Sequence, residues 1–210
     1  MYEIISIGTS GQGERLLLKL STPEGDETLS ISSDGYRELK LSRGEISEAQ
    51  YRGLKRINMH ESALSKGFSI LGYGANSKNQ LVVKLTRGGI SKDEALSVAH
   101  ELERRGYLNE DEDAHRIAEG LVRKLYGPKR VISALRSKGY SDTAISAAAE
   151  WLETVDTRQN CLLAAEKRIK KAPQDRAEAQ KAIAKLIALG YNINDAKYAL
   201  TALISGNDRI

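Results

Sequence analysis

The sequence predicts a mainly α protein, an elongated array of three tandem three-helix repeats behind a small N-terminal antiparallel β segment. Three observations carry this expectation. A pattern centred on Gly89, Gly139 and Gly190 recurs at spacings of 50 and 51 residues. Ala and Leu are plentiful while aromatics are 5% of the 210 residues, which favours helices packed through small and aliphatic side chains. Period-2 alternation is confined to the first third of the chain.

In that first third, residues 2–7 (YEIISI), 14–20 (ERLLLKL) and 28–32 (TLSIS) are short apolar runs. They are separated by the glycine-rich stretch 8–13 and by residues 22–26 (TPEGD). Leu16, Leu18 and Leu20 alternate with Arg15, Leu17 and Lys19, and Leu29 and Ile31 alternate with Thr28, Ser30 and Ser32. Alternation bounded by Gly, Pro and Asp marks two or three antiparallel strands. So small a sheet is marginal alone and needs cover. Residues 47–57 begin a helical region that runs to the C-terminus.

From residue 58 onward the repeat governs. Four residues before each aligned glycine stands Leu85, Leu135 or Leu186, and seven before stands Val82, Ile132 or Ile183. Directly after each comes Ile90, Tyr140 or Tyr191, then Ser91, Ser141 or Asn192, residues whose side chains cap helix N-termini. Then follow Ala95-Val98-Ala99-Leu102, Ile145-Ala148-Ala149-Leu152 and Ala196-Ala199-Leu200-Leu203, each one apolar stripe of a helix. Each glycine thus ends one helix, where a left-handed residue turns the chain. A third helix precedes each pair. The clearest spans 109–125, with Ala114, Ile117, Ala118, Leu121 and Leu125 on one face and four acids in its first turn. Gly127-Pro128 suits a cap and first position of the next helix, and Pro173 separates helices of the last unit. The expected divisions are 1–57 for the β segment and linking helix, then repeats 58–107, 108–157 and 158–210. Gly67, Gly72 and Gly74 weaken the first-repeat helix, each by about 1 kcal/mol relative to Ala.

Composition narrows the function classes. The lone Cys161 excludes an intramolecular disulfide and a thiolate-rich zinc site. No apolar run approaches a bilayer span, and Met1-Tyr2-Glu3 does not open a signal peptide, so a soluble cytoplasmic protein is expected. No catalytic residue, metal site or cofactor is expected. His60, His100 and His115 lack metal-ligand spacing, with His100 and His115 expected on helix surfaces. Cys161 reads as a helix-packing residue and Trp151 as core or packing edge. Gly72-Tyr73-Gly74 lacks the Lys-Ser/Thr of a phosphate loop, and no helix pattern follows residues 8–13.

Net charge is +4, but residues 158–210 hold ten basic and five acidic side chains. Residues 120–141 hold six basic residues and no acid: Arg123, Lys124, Lys129, Arg130, Arg136 and Lys138. Lys129, Ser133 and Arg136 share one helix face, while Val131 and Leu135 share another and face the core. A second set, Lys167, Arg168, Lys170, Lys171, Lys181 and Lys185, lies in the third repeat. A fixed cationic stripe can meet phosphates or a carboxylate-lined protein groove; a solvated helix face is the plainer alternative. Arg104 and Arg105 end a helix, where positive charge is favoured in any case.

Residues 106–152 (GYLNEDEDAHRIAEGLVRKLYGPKRVISALRSKGYSDTAISAAAEWL) resemble the central repeat of RecX proteins. The likeness lies in the Gly-Tyr-Leu entry with its following acids, the basic Gly-Pro junction at 123–130 and Leu-x-x-Lys-Gly at 135–139, and the flanking repeats and strand segment extend it over essentially the whole chain. The resemblance implies a curved array of three-helix repeats in the groove of the RecA–single-stranded DNA filament. There it would lower ATP hydrolysis, strand exchange and the co-protease effect on the SOS repressor. The resemblance favours Arg123, Lys124, Lys129, Arg130, Arg136 and Lys138 as partner-binding residues; Lys167, Arg168, Lys170 and Lys171 join them as candidates by charge alone, and a monomer with weak supplementary DNA contact is expected. One departure stands out: where the family carries Arg-x-Arg-Ser, this chain has Gly74-Ala75-Asn76-Ser77. Two other readings stay open, a helical protein binding DNA directly and a helical-repeat scaffold.

Overall fold

A computed structural model describes residues 1–10, 15–171 and 173–207. Gly11, Gln12 and Gly13 of the glycine-rich stretch, and Glu14, the expected first residue of the second strand, lie outside the described residues. The chain divides into two compact units, Met1–Tyr73 with Val82–Tyr107, and Gly74–Leu81 with Leu108–Ile210.

The first unit opens with strands β1 (Tyr2–Thr9), β2 (Arg15–Thr22) and β3 (Gly25–Ser32), as the alternation predicts. After helix α1 (Ser33–Glu38) comes a fourth strand, β4 (Gly44–Ile46), giving an antiparallel sheet in the order β3-β2-β1-β4. The expected two or three strands are therefore four, because a three-residue strand carries too few positions to show a period. One face buries Ile4, Leu18, Leu20, Leu29, Ile31 and Ile46 under Leu54, Tyr51 and Ile57 of helix α2 (Glu48–Gly72). That helix also covers the outer edge of β3. The amides of Ser30 and Ser32 donate to Asn58 Oδ1 (3.0 Å) and Glu61 Oε2 (2.8 Å), so the edge has fewer open groups for another strand to pair with.

Helix α2 starts in a capping box of Ser47 and Gln50 and runs unbroken past residue 57, so the division expected at 57/58 falls inside one helix. Of the three glycines counted against it, only Gly67 is interior. Gly72 is its last residue, and Gly74 lies beyond it at φ +143°. Gly67 has a packing role, because a Cβ there would meet Leu102 Cδ1 at 2.8 Å and Val98 Cγ1 at 3.2 Å. The missing side chain admits helix α4 (Lys92–Arg104) close against α2. Between them in sequence lies α3 (Lys78–Arg87).

The second unit holds α5 (Glu110–Arg123), α6 (Pro128–Ser137), α7 (Asp142–Glu153), α8 (Thr157–Arg168), α9 (Arg176–Ala188) and α10 (Ile193–Asn207). With α2, α3 and α4 these make three successive helix trios. Each aligned glycine takes the left-handed conformation: φ is +88° at Gly89, +71° at Gly139 and +98° at Gly190. The recurring leucine is explained by the same turn. The amides of Ile90, Tyr140 and Tyr191 donate to the carbonyls of Leu85, Leu135 and Leu186 at 3.2–3.3 Å, the six-to-one bond of a Schellman turn. Ser91 and Ser141 then cap α4 and α7, and Asn192 Oδ1 accepts the Asp195 amide at 2.8 Å.

Ala114, Ala118, Ala144 and Ala148 bring α5 and α7 together in one core, and Ala164, Ala165, Ala196 and Ala199 do the same for α8 and α10. The expected stripes of α4, α7 and α10 are buried, save that Ala149 and Leu203 are half-buried; in α5 Ala114 and Ala118 are buried while Ile117 and Leu121 are half-buried. Val82, Ile132 and Ile183 are also half-buried. The buried position is one residue earlier, at Leu81, Val131 and Ala182, which shares a face with the leucine four residues on. Leu125 leaves the α5 stripe altogether: at φ +61° it lies past the helix end and packs on the core of the third trio.

Candidate partner-binding surface

The basic residues between α5 and α6 stand on a corner fixed by backbone contacts. Helix α5 ends with Tyr126 N–H on the Leu121 carbonyl (3.1 Å), and Gly127 then caps α6 with Pro128 in its first turn. Into this corner fits the Gly190 turn. Gly127 N–H donates to the Leu189 carbonyl at 2.8 Å, and Lys129 N–H donates to the Gly190 carbonyl at 3.1 Å. A Cβ on Gly127 would overlap the Gly190 carbonyl, and one on Gly190 would stand 2.5 Å from Arg130 N.

Within the same unit, the start of α3 holds the Gly139 turn by the same plan, at positions 50 residues earlier in the aligned repeat. Ser77 Oγ donates to the Lys138 carbonyl at 2.6 Å, and Asn79 Nδ2 to the Gly139 carbonyl at 3.0 Å. Side chains there do what main-chain amides do in the later joint. Asn76 and Ser77, which stand in the Arg-x-Arg-Ser segment's place, are 3% and 0% exposed, so this segment offers packing and no charge. Glu110 ties the same joint by accepting from the amides of Lys78 (2.7 Å) and Ser141 (3.1 Å).

On this frame all ten candidate cations are exposed. Two that are distant in sequence converge on one ring. The guanidinium of Arg130, on α6, lies 4.6 Å from the centroid of Tyr126, and that of Arg168, in the last turn of α8, lies 5.9 Å from it. Arg130 Nη1 also donates to the Ala188 carbonyl at 3.3 Å. Arg123 pairs with Glu119 at 3.6 Å, an exposed contact of small worth. Among the described residues, the side chains of Lys124, Lys129, Arg136, Lys138, Lys167, Lys170 and Lys171 have no carboxylate partner. An anionic partner would meet those seven without first breaking an ion pair. Tyr126 was absent from the sequence-based set, although an aromatic between Lys124 and Lys129 is the signal that could have found it.

The remaining candidates for chemistry are packed or paired. Cys161 is fully buried and burial pushes its thiol up to about 12, so it stays protonated beside Ala164 and Leu186. His115 meets the half-buried Trp151 edge-on and Glu119 at 3.4 Å; His100 is largely exposed beside Glu103. His60 is not a surface group: it sits half-buried between Glu94 and Glu101. Among the described residues no three His, Cys, Asp or Glu side chains are grouped to hold a metal ion, and no helix is long and apolar enough to cross a membrane.

No family model matches the chain. It is 30% identical over 145 residues to the regulatory protein RecX of two strains of Stenotrophomonas maltophilia, spanning 67% of this chain and 86% of theirs. Its fold is similar to that in a crystal structure of a regulatory protein RecX, with a TM-score of 0.77 at 18% identity over 93% of this chain and 97% of that one. RecX from Lactobacillus salivarius superimposes with a TM-score of 0.59 at 18% identity, covering 72% and 98% of the two chains. With the repeat, the glycine turns and these likenesses together, the chain belongs to the RecX family of regulatory proteins.

Proposed function

We propose that this protein is a non-catalytic regulator that binds the RecA–single-stranded DNA filament and lowers its ATP hydrolysis, strand exchange and SOS co-protease activity. It acts in the cytoplasm as a monomer, without metal or cofactor. The observation that carries the reading is the corner at Tyr126. Arg130 and Arg168 from different trios flank one ring on a locked joint, with unpaired lysines on either side in sequence. A set of cations carried on fixed helix ends is suited to a carboxylate-lined protein groove because no existing ion pair has to be broken on binding. Partner-binding roles are assigned to Arg123, Lys124, Lys129, Arg130, Arg136, Lys138, Lys167, Arg168, Lys170 and Lys171. Bridging neighbouring filament subunits would slow any cycle in which they must shift.

The test is DNA-dependent ATP hydrolysis by recombinase with this protein added well below stoichiometry. Suppression is expected; no effect at equimolar protein sinks the reading. The combined variant Arg123→Glu, Lys124→Glu, Lys129→Glu and Arg168→Glu should relieve suppression with an unchanged circular dichroism spectrum. Arg130 is left intact there because it also holds the Ala188 carbonyl. Direct DNA binding is the second reading, favoured by the pairing of guanidiniums with an aromatic ring. It requires tight binding to naked DNA that weakens steeply with salt.

A further inference from the structure

His60, on α2, faces α4 with both ring nitrogens engaged. Nδ1 lies 2.5 Å from Glu94 Oε1 and Nε2 lies 2.7 Å from Glu101 Oε2. Glu94 is in the first turn of α4 and Glu101 two turns later, so one ring is gripped from both sides by a single helix. A carboxylate accepts hydrogen bonds and donates none, whereas a neutral imidazole has one N–H. Both contacts are therefore hydrogen bonds only when the ring carries two protons. In the neutral ring, one carboxylate would face a nitrogen lone pair.

The surroundings decide which carboxylate would leave. Arg105, the C-cap of α4, holds Glu101 through its other oxygen. Glu94 has no cation besides His60 among the described residues, and it stands at the helix start, where its side chain can turn to water. On α2 itself, Glu61 is engaged by Arg15 of β2 at 3.0 Å, and Arg56 lines the same cleft. From α1, Asp34 and Glu38 line it as well. None of these five is in ion-pair contact with the ring.

We propose that His60 is a pH-operated clasp of the first helix trio: doubly protonated it ties both Glu94 and Glu101 to α2, and on losing the Nδ1 proton it releases Glu94 while keeping Glu101. Burial alone would lower the proton affinity of the ring. The hydrogen bonds and charges of Glu101 and Glu94 outweigh it and raise that affinity above the ordinary histidine value of 6.5. The sign follows from linkage. A group whose folded pKa is raised contributes fully below its unfolded value, and the contribution is lost as pH rises through the folded one. The clasp is closed in mild acid and opens across the range that begins above 6.5.

The test uses the full chain, labelled with ¹⁵N and ¹³C and titrated by NMR. The His60 ring should carry two N–H groups in mild acid, titrate with a midpoint above 6.5 and end as the Nε2–H tautomer. Hydrogen-exchange protection of the first turns of α4, corrected for the intrinsic pH dependence of exchange, should fall across the same midpoint. The fall should match the ratio of the native and unfolded proton affinities of the ring. In Glu94→Gln the amide can donate to a bare Nδ1, so the midpoint should drop and the protection should lose its pH dependence. A wild-type midpoint at or below 6.5, an Nδ1–H end state, or protection that does not change across the midpoint overturns the proposal. So does a Glu94→Gln protein that keeps the wild-type pH dependence, and if that variant is unfolded the wild-type titration alone decides.

Discussion

The amide of Gly127 donates to the carbonyl of Leu189 at 2.8 Å, joining the cap of one helix to the turn that ends another. The approach leaves no room for a side chain on either glycine of the joint. Gly127→Ala should cost at least about 3 kcal/mol, since main chain would have to move. Gly190→Ala should cost no less, because its φ of +98° is itself unfavourable for alanine. Gly120, inside α5 with open space where a Cβ would go, is the control. Gly120→Ala should stabilise by about 0.5–1 kcal/mol. Urea unfolding of the three variants checks both directions.

At the earlier joint Ser77 has two duties. Its hydroxyl accepts the Gln80 amide at 3.1 Å and donates to the Lys138 carbonyl at 2.6 Å, with the residue fully buried. Ser77→Ala leaves both partners short of a bond, and a loss of about 1–3 kcal/mol is expected in denaturant unfolding. A loss below about 0.5 kcal/mol would mean that the joint does not depend on this side chain.

In the β segment, Lys55 Nζ lies 2.7 Å from Glu27 Oε2. Burial raises the Glu27 pKa, but Lys55 and Tyr51 beside it prevail and hold it below the ordinary 4.5. A depressed carboxylate contributes stability above its unfolded pKa and loses it as pH falls through the folded one. Glu27→Gln should therefore be less stable than the parent at pH 7, by about 1 kcal/mol or less because Lys55 is partly exposed. The difference should close once pH drops below 4.5 and through the lowered value. Parallel urea titrations at neutral and acid pH measure it.

Tyr140 and Tyr191 occupy the same repeat position, and their buried hydroxyls have no hydrogen-bond partner among the described residues. A buried hydroxyl without a partner costs stability, so its removal is the rare deletion that should not destabilise. Tyr140→Phe and Tyr191→Phe should leave Tm unchanged or raise it. A drop corresponding to about 1 kcal/mol in either would reveal a hydrogen bond to that hydroxyl.

How far the sequence could be read depended on whether a residue's role was local. The turns at Gly89, Gly139 and Gly190 were legible because a Schellman turn is written within six consecutive residues, from leucine to the residue after glycine. Strands with three alternating positions were legible, and the three-residue β4 was not. His60 illustrates the limit from the other side. Its spacing from His100 and His115 indicated no shared site, and that says nothing of Glu94 and Glu101, which reach it from another helix. Within the candidate site, the exposure of the ten cations could be anticipated, but the meeting of Arg130 and Arg168 over Tyr126 could not.

The sequence by itself determined the three glycine turns and the helix caps beside them, most of the residues that line each repeat core, and which family the chain resembles. All of these follow from periodicity, caps and turns, interactions that span a few neighbouring residues. Only the tertiary structure decided that Gly127 and Ser77 each hold a glycine turn from far along the chain, that Gly67 admits α4, and that two arginines share one ring. Those depend on distances between segments far apart along the chain. Such distances are set by how closely helices pack within each unit, and no local pattern encodes them.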